Sequence, residues 1–161
     1  MGKPLIIRDT REKETHGYDY PETDIFGGTK IEKVEVGDYS IEGLTHLIFI
    51  DRKASTSEIA MNITEDRFKK LLERATSYKY RFLVCEFDWE DILTFPIASG
   101  IPLRKQKYIK ITSAFLQSFF TKLSIEYDIH VLFAGNAERA EILTYNILKG
   151  IWKKECSEKT N

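Results

Sequence analysis

The sequence contains little cysteine, little proline and no long apolar run. Of its 161 residues only two are cysteines, Cys85 and Cys156, and neither has the spacing of a metal-binding or redox motif. This excludes a disulfide-stabilised secreted scaffold, and we expect a reduced, intracellular setting. The apolar runs are too short for a membrane span, and no signal peptide is recognisable, so we expect no membrane association.

An excess of charge of one sign is also absent. Lys and Arg number 24 and Asp and Glu number 25, which gives a net charge of −1. Contacts with nucleic acid would therefore have to come from local basic patches. An apolar content of 42% with 30% charged residues is ordinary for a globular domain. We expect one domain over residues 1–153 and a polar C-terminal tail over residues 154–161.

Hydrophobic periodicity predicts strands that alternate with helices. The predicted strands cover residues 4–7, 30–36, 39–41, 46–51, 80–87 and 129–133. The predicted helices begin at residues 55, 64, 88, 112 and 136, where capping signals stand. Polar loops are expected over 13–28 and 96–110. This order predicts an α/β fold with a central mixed β-sheet that is flanked by helices on both faces.

Three charged residues follow the apolar run Leu47-Ile48-Phe49-Ile50 without a break: Asp51, Arg52 and Lys53. Alternate side chains of a strand share a face, so Asp51 and Lys53 are expected to project together and Arg52 to the other side. An acid that is separated from a lysine by one residue is by itself a weak signal. The alternative interpretation is an ordinary ion pair at the end of a strand.

A second acid, Asp38, stands just after Gly37 on the preceding predicted strand. A glycine permits a bend or bulge that brings Asp38 towards Asp51. Two carboxylates beside the ammonium of Lys53 are a set that suits Mg²⁺ and a phosphate. Such a site would assist the attack of water on a phosphodiester bond.

Three short motifs occur in order, each after a predicted strand. They are Asp9-Thr10-Arg11-Glu12, Gly37-Asp38-Tyr39 and Asp51-Arg52-Lys53. Together they resemble the XPF/Hef family of structure-specific DNA endonucleases, whose pattern is Gly-Asp, a spacer, then Glu-Arg-Lys and a further acid. The resemblance covers residues 4–153. It implies a restriction-endonuclease-like fold and a metal-dependent DNA endonuclease that cuts branched or flapped DNA.

The resemblance also implies roles for individual residues. Metal ligands for Mg²⁺ or Mn²⁺ would come from Asp38, Asp51, Glu12 and Asp9. Lys53 would be the catalytic lysine. The predicted catalytic set comprises Asp38, Asp51, Lys53, Arg52 and Glu12, with Arg52 in a structural or phosphate-positioning role.

The chain departs from the family pattern at three points. Asp51 stands where the family usually has Glu, and Ser57 stands where it has an acid after the lysine. Glu58 either compensates for Ser57 or only completes a capping box with Ser55. The helix-hairpin-helix DNA-binding tail of larger family members is not recognisable in this sequence. DNA binding would then be supplied by a partner, or the domain would act alone or as a homodimer.

Local basic residues are the candidates for DNA contact. Arg67 resembles the family's arginine in the helix after the catalytic lysine and is a candidate for contact with DNA phosphate. The segment from Arg104 to Lys110, with Lys105 and Lys107, is either a DNA contact or a solvated loop. Two alternatives to an active nuclease remain open: an inactive nuclease-fold module that binds DNA or a partner nuclease, and an α/β domain with ordinary strand-end charges.

Overall fold

The structure is a computed structural model and describes residues 2–13 and 15–160. These residues form six strands and six helices. The strands are β1 (Ile6–Arg8), β2 (Thr29–Ile31), β3 (Tyr39–Ile41), β4 (Ile48–Lys53), β5 (Tyr80–Cys85) and β6 (His130–Phe133). The helices are α1 (Thr56–Asn62), α2 (Asp66–Ala75), α3 (Trp89–Leu93), α4 (Leu103–Gln106), α5 (Ser113–Tyr127) and α6 (Ala137–Lys159).

The strands form two three-stranded sheets instead of the single sheet that we expected. In the first sheet β1 lies between β2, which is parallel to it, and β3, which is antiparallel. The second sheet has the order β4-β5-β6 and is entirely parallel. The sheets meet where the N–H of Asp38 donates to the carbonyl of Ile50 at 2.7 Å. This seam brings the acid after β2 and the end of β4 together.

Helices cover both faces of the parallel sheet, as the sequence predicts. Phe49, Leu83 and Cys85 point to one face, where they pack in a core with residues of α1, α2, α3 and α5. Ile48, Ile50 and Val84 point to the other face, where α6 and the first sheet cover them. Because alternate residues enter different cores, the apolar run of β4 is buried on both sides.

The predicted strand over residues 30–36 is too long. Strand β2 ends at Ile31, and the N–H of Val34 donates to Oδ1 of Asp9 at 2.8 Å. The backbone N–H of Val34 thus bonds to a side-chain carboxylate and not to a neighbouring strand, and the chain leaves the sheet. Strand β4 in turn runs to Lys53, past the predicted end at residue 51. Strand β5 ends at Cys85, and part of the predicted loop over 96–110 forms the short helix α4.

Helix α6 continues through residues that composition assigns to a polar tail. It ends at Lys159, and Glu155 and Glu158 on it pair with Lys79, next to strand β5. The hydroxyl of Tyr80 also donates to Glu155 at 2.6 Å. These contacts hold the polar end of the helix on the sheet, although the division at residue 153 remains a prediction. Within residues 2–13 and 15–160, no helix has the length and apolar character to cross a bilayer.

Candidate active site

Strand β4 places Asp51 and Lys53 side by side. Both residues are buried, with exposed fractions of 5% and 7%. The Nζ of Lys53 lies 2.9 Å from Oδ2 of Asp51. The approach is that of an ion pair without hydrogen-bond geometry, since Oδ2 accepts no hydrogen bond from the described residues. This buried oxygen is therefore in direct contact with the ammonium group of Lys53.

Gly37 allows Asp38 to reach the same place. Its φ is +98°, and a Cβ atom there would lie 2.9 Å from the carbonyl oxygen of Ile50. Only glycine accepts both conditions without strain, so the tight seam between the two sheets requires it. Oδ2 of Asp38 accepts the N–H of Arg52 at 2.7 Å, which turns the carboxylate towards strand β4.

Asp38 and Asp51 are close enough to interact electrostatically. Burial raises the pKa of Asp38 well above its usual value, and the charges of Asp51 and Glu12 raise it further. Burial by itself would lower the pKa of Lys53, but the charges of Asp51, Glu58 and Asp38 outweigh it and the pKa lies above its usual value. Burial and like charge thus both favour the neutral form of Asp38.

Arg52 points to the opposite face of β4 and joins two acids there. Its Nε lies 2.8 Å from Oε2 of Glu12, and its Nη1 lies 3.1 Å from Oε1 of Glu86. Tyr39 donates its hydroxyl to Glu12 at 2.8 Å, and Tyr18 donates to Glu86. The rings of Tyr18 and Tyr39 stack with centroids 5.1 Å apart. This network ties the loop after β1 to the strand that carries Asp51 and Lys53.

Asp9 is fully buried, and both of its oxygens are engaged. Oδ1 accepts from the N–H of Val34, and Oδ2 accepts from the side chain and the N–H of Arg11. Burial would raise the pKa of Asp9, but these hydrogen bonds lower it below the usual value. The contacts give Asp9 a structural task in the turn after β1. Its predicted role as a metal ligand stays a prediction.

The contacts of Ser57 and Glu58 bear on the two roles that the sequence leaves open for Glu58, a substitute for the family acid and a part of the helix cap. The hydroxyl of Ser57 lies 2.8 Å from the hydroxyl of Ser55. Ser55 caps helix α1 by accepting the N–H of Glu58 at 3.2 Å, as the capping signal predicts. The carboxylate of Glu58 accepts the N–H of Ala54 at 2.7 Å, and its other oxygen lies 3.7 Å from Nζ of Lys53. Glu58 therefore accepts from the residue before the cap and not from Ser55, as a complete capping box would require, and it also faces the lysine.

The carboxylates of Asp38 and Asp51 could supply part of the coordination sphere of a hard divalent cation. No group of three or more His, Cys, Asp or Glu side chains is arranged to hold a metal anywhere in residues 2–13 and 15–160. Mg²⁺, however, is commonly held by one or two carboxylates, with the remaining positions filled by waters and phosphate oxygens. Asp38, whose pKa is raised by burial and by the charge of Asp51, and Asp51 are the pair whose repulsion a cation would relieve.

The predicted DNA-binding residues lie in two separate places. Arg67 is on α2 and lines a groove that also contains Lys53. Arg104 and Lys105 are on helix α4 and Lys107 follows it, and all three are exposed. None of these three lines either of the two grooves that border the site in the described part of the chain.

Sequence reasoning missed several residues of the network around Arg52. Glu86 directly follows strand β5, and Tyr18 lies in the loop after β1, so neither belongs to a recognisable motif. Tyr39 is the one member with a signal, because it follows Gly37-Asp38 directly. Glu86 is brought in by the parallel pairing of β4 with β5, in which Lys53 lies opposite Cys85, and Tyr18 by its contacts with Tyr39.

Comparisons with known proteins support the fold. No protein-family model matches the chain, and no curated protein matches it. Solved structures of XPF from Aeropyrum pernix, one of them in complex with DNA, have the same architecture. The TM-scores are 0.61 and 0.62 at 14% and 16% sequence identity, over 89% and 94% of this chain. The chain has an XPF-like fold.

The likeness to XPF extends over most of this chain but not over the whole of those structures. This chain spans 64% and 66% of their chains, slightly less than two thirds. The predicted α/β, restriction-endonuclease-like class and the XPF resemblance are confirmed at the level of the fold. The roles of individual residues are not decided by a likeness at this level of identity.

Proposed function

We propose that this XPF-like domain is a metal-dependent DNA endonuclease. The observation that carries the proposal is the meeting of Asp38, Asp51 and Lys53 at the seam between the two sheets, where burial and the charge of Asp51 raise the pKa of Asp38. Buried carboxylates in close contact destabilise a fold unless a cation or substrate uses them. The XPF-like fold supports the choice of DNA as the substrate.

In this proposal Asp38 and Asp51 hold Mg²⁺ or Mn²⁺. A bound cation of this kind stabilises the negative charge that develops on a phosphate and lowers the pKa of a coordinated water. Lys53, fixed by Asp51 and Glu58, directs its ammonium group at a phosphate oxygen or at the attacking water. Hydrolysis adds the water oxygen to phosphorus and breaks one P–O ester bond, and the departing oxygen takes up a proton.

Among the remaining predicted site residues, Glu12 and Arg52 hold strand β4 in position. Glu12 accepts from Tyr39 and Arg52, and these contacts support a positioning role in addition to its predicted role as a ligand. Arg52 holds Glu12 and Glu86 on the face opposite Lys53, which supports a structural role. The same proposal includes an intracellular location, branched or flapped DNA as substrate, and either homodimerisation or a partner that supplies DNA binding.

The first experiment is cleavage of labelled duplex, flap and fork DNA with Mg²⁺ or Mn²⁺. The test proteins are the wild type and the variants Asp51→Asn and Lys53→Ala. Matched controls are Asp24→Asn and Lys153→Ala, which change exposed residues. We expect cutting that depends on the metal, is lost in the two site variants and is retained in both controls. Absence of cutting by the wild type on every substrate would overturn the proposal.

The second candidate function is an inactive nuclease-fold module that binds DNA or a partner nuclease. Two observations favour it: Ser57 at the position of the family acid, and the absence of a group of three acids among the described residues. Thermal unfolding with Mn²⁺ distinguishes the two candidates. An active site raises the melting temperature in proportion to the logarithm of metal concentration once the site is saturated, and Asp51→Asn removes the effect. An inactive module that has lost the metal site shows no shift in either protein.

A further inference from the structure

A groove with an unusual balance of charge runs along helix α2. It has a volume of about 520 Å³. Its charged lining consists of five basic residues and two acidic ones, whereas the whole chain has a net charge of −1. The basic residues are Arg11, Lys53, Arg67, Lys70 and Arg74, and the acidic ones are Glu35 and Glu65. The groove therefore concentrates the positive charge that the chain lacks overall.

Helix α2 contributes its basic residues as one stripe. Arg67, Lys70 and Arg74 stand at intervals of three and four residues, which places them on one helical face. Phe68 and Leu72 on the other face are buried in the core. Seven residues of helix extend roughly 10 Å. This length allows the stripe to contact more than one phosphate of the same DNA strand.

The basic side chains of the stripe are exposed and can exchange their acidic partners for DNA phosphates. Arg67 pairs with Glu65 at 3.0 Å, and Arg74 pairs with Glu35 at 3.4 Å. The side chains of both arginines are largely exposed, at 86% and 58%. Exposed pairs of this kind contribute little to stability and are easily exchanged. Lys70 is exposed as well.

Lys53 connects the stripe to the candidate active site. Its Nζ lies 4.9 Å from the ring centroid of Phe68, the residue next to Arg67 on α2. The same Nζ lies 2.9 Å from Asp51. A phosphate strand that follows α2 would consequently pass Lys53, the residue through which this groove borders the site.

A second groove, on the other side of Arg11, has the opposite balance of charge. It has a volume of about 630 Å³. Among the described residues, five glutamates and three Lys or Arg residues line it. The glutamates are Glu12, Glu58, Glu86, Glu138 and Glu141. Arg11 lines both grooves and marks the boundary between a surface that attracts phosphates and one that repels them.

We propose that one DNA strand follows the basic groove along α2 into the Asp38–Asp51–Lys53 site, with Lys70 and Arg74 as phosphate contacts, and that the glutamate-lined groove beyond Arg11 excludes its phosphate backbone. This inference rests on the proposed function for its substrate. It extends the predicted contact at Arg67 along helix α2 and leaves out the predicted contacts at Arg104, Lys105 and Lys107. The physical reason is position, because the basic residues near α4 line neither groove at the site.

The test compares two variants with equal changes of charge. One is Lys70→Gln/Arg74→Gln, and its matched control is Lys105→Gln/Arg104→Gln. Each replaces one exposed lysine and one exposed arginine. Binding of a labelled DNA duplex is measured over a series of KCl concentrations in buffer without divalent metal, so that no cleavage occurs. Far-ultraviolet circular dichroism and melting temperature confirm that both variants are folded.

We expect the α2 variant to lose affinity and to show a smaller dependence on salt. The slope of log K against log[KCl] should decrease by about 2, because each phosphate contact contributes about 0.9. The control should keep the slope of the wild type. Equal slopes for the α2 variant and the wild type, or a loss in the control as large as that in the α2 variant, would overturn the proposal.

A second measurement uses the unmodified chain and is independent of variant folding. Lysine acetylation with and without bound DNA is followed by mass spectrometry. DNA should protect Lys70 and leave Lys105 and Lys107 as reactive as before. Protection of Lys105 and Lys107 without protection of Lys70 would show that DNA lies at α4 and contradict the inference.

These measurements separate the strand path from the nuclease activity. If the α2 variant behaves as expected and the wild type cuts no DNA with metal, the path along α2 stands and the proposed catalytic function fails. If the wild type cuts DNA and the α2 variant binds and cuts as well as the wild type, the nuclease stands and the path fails.

Discussion

The ammonium group of Lys53 lies 2.9 Å from Oδ2 of Asp51, two residues earlier on the same face of strand β4. Both side chains are almost completely buried, on a face that otherwise carries Phe49 into the core. A buried charge that loses its partner is strongly destabilising, so each residue of the pair offsets the cost of burying the other. Their contact links the stability of the fold to the chemistry of the site.

Replacing Lys53 should therefore affect both stability and activity. Lys53→Met leaves Asp51 buried without a cation, and we expect a loss of about 3–5 kcal/mol in the free energy of unfolding. The double variant Lys53→Met/Asp51→Asn should recover most of this loss but no DNA cleavage. Urea denaturation measures the first quantity and the cleavage assay the second. A double variant that is as unstable as Lys53→Met would contradict the pairing.

Asp38 should be unfavourable in the metal-free fold. Burial and the charges of Asp51 and Glu12 raise its pKa, so Asp38→Asn removes repulsion and should raise the melting temperature without metal. The rise is expected to be about 2–4 °C for each kcal/mol of repulsion removed. The same variant should lose the stabilisation by Mn²⁺. Differential scanning calorimetry measures both, with Asp24→Asn as the exposed control. A lower melting temperature for Asp38→Asn would show that its contacts outweigh the repulsion.

Arg52 should be a structural residue whose loss is costly. Arg52→Met leaves Glu12 and Glu86 without their buried cation, and we expect a loss of about 3–5 kcal/mol in the free energy of unfolding. Arg81→Met is the matched control, because its partner Asp128 is exposed, and it should lose about 1 kcal/mol or less. Chemical denaturation compares the two. Similar losses would show that the buried network around Arg52 stabilises the fold no more than the exposed pair of Arg81 does.

Gly37 should be irreplaceable even by alanine. A methyl group there meets the carbonyl of Ile50 at 2.9 Å and the positive φ is strained, so Gly37→Ala should destabilise the protein by about 1–3 kcal/mol. It should also weaken Mn²⁺ binding, because the seam that positions Asp38 opens. Gly150→Ala, within helix α6 with free space around it, should stabilise by about 0.5–1 kcal/mol. Urea denaturation and a metal titration test both, and an unchanged metal affinity in Gly37→Ala would show that the seam tolerates movement.

Glu58 should matter for cleavage more than Ser57 does. Glu58→Gln keeps an oxygen for the N–H of Ala54 but removes the charge that faces Lys53, so we expect the cleavage rate to fall by about tenfold, equivalent to ~1.4 kcal/mol. Ser57→Ala loses only a bond to Ser55 and should cut at the rate of the wild type. Single-turnover cleavage measures both rates. The reverse order of effects would assign the task to Ser57.

The local sequence pattern was sufficient to predict many of the strands and helices of this protein. Apolar runs and capping residues predict β4, α1, α2, α5 and α6 at nearly their observed positions, because buried strands and capped helices depend on neighbouring residues. The alternation of side chains on β4 likewise predicts that Asp51 and Lys53 share a face and that Arg52 points away. These features follow from the period of the backbone alone.

Tertiary structure decided which charges meet. The early end of β2 depends on Asp9, which accepts the N–H of Val34 from 25 residues away. The partners of Arg52 come from the loop after β1 and from the end of β5, and the charge of α2 gains its significance only because the helix packs beside Lys53. Electrostatic interactions act between residues that are close in space, and the sequence orders residues only along the chain. The sequence by itself therefore determined most of the elements and the shared face of Asp51 and Lys53, whereas packing determined the partners of these charges, the seam between the sheets and the two grooves of opposite charge.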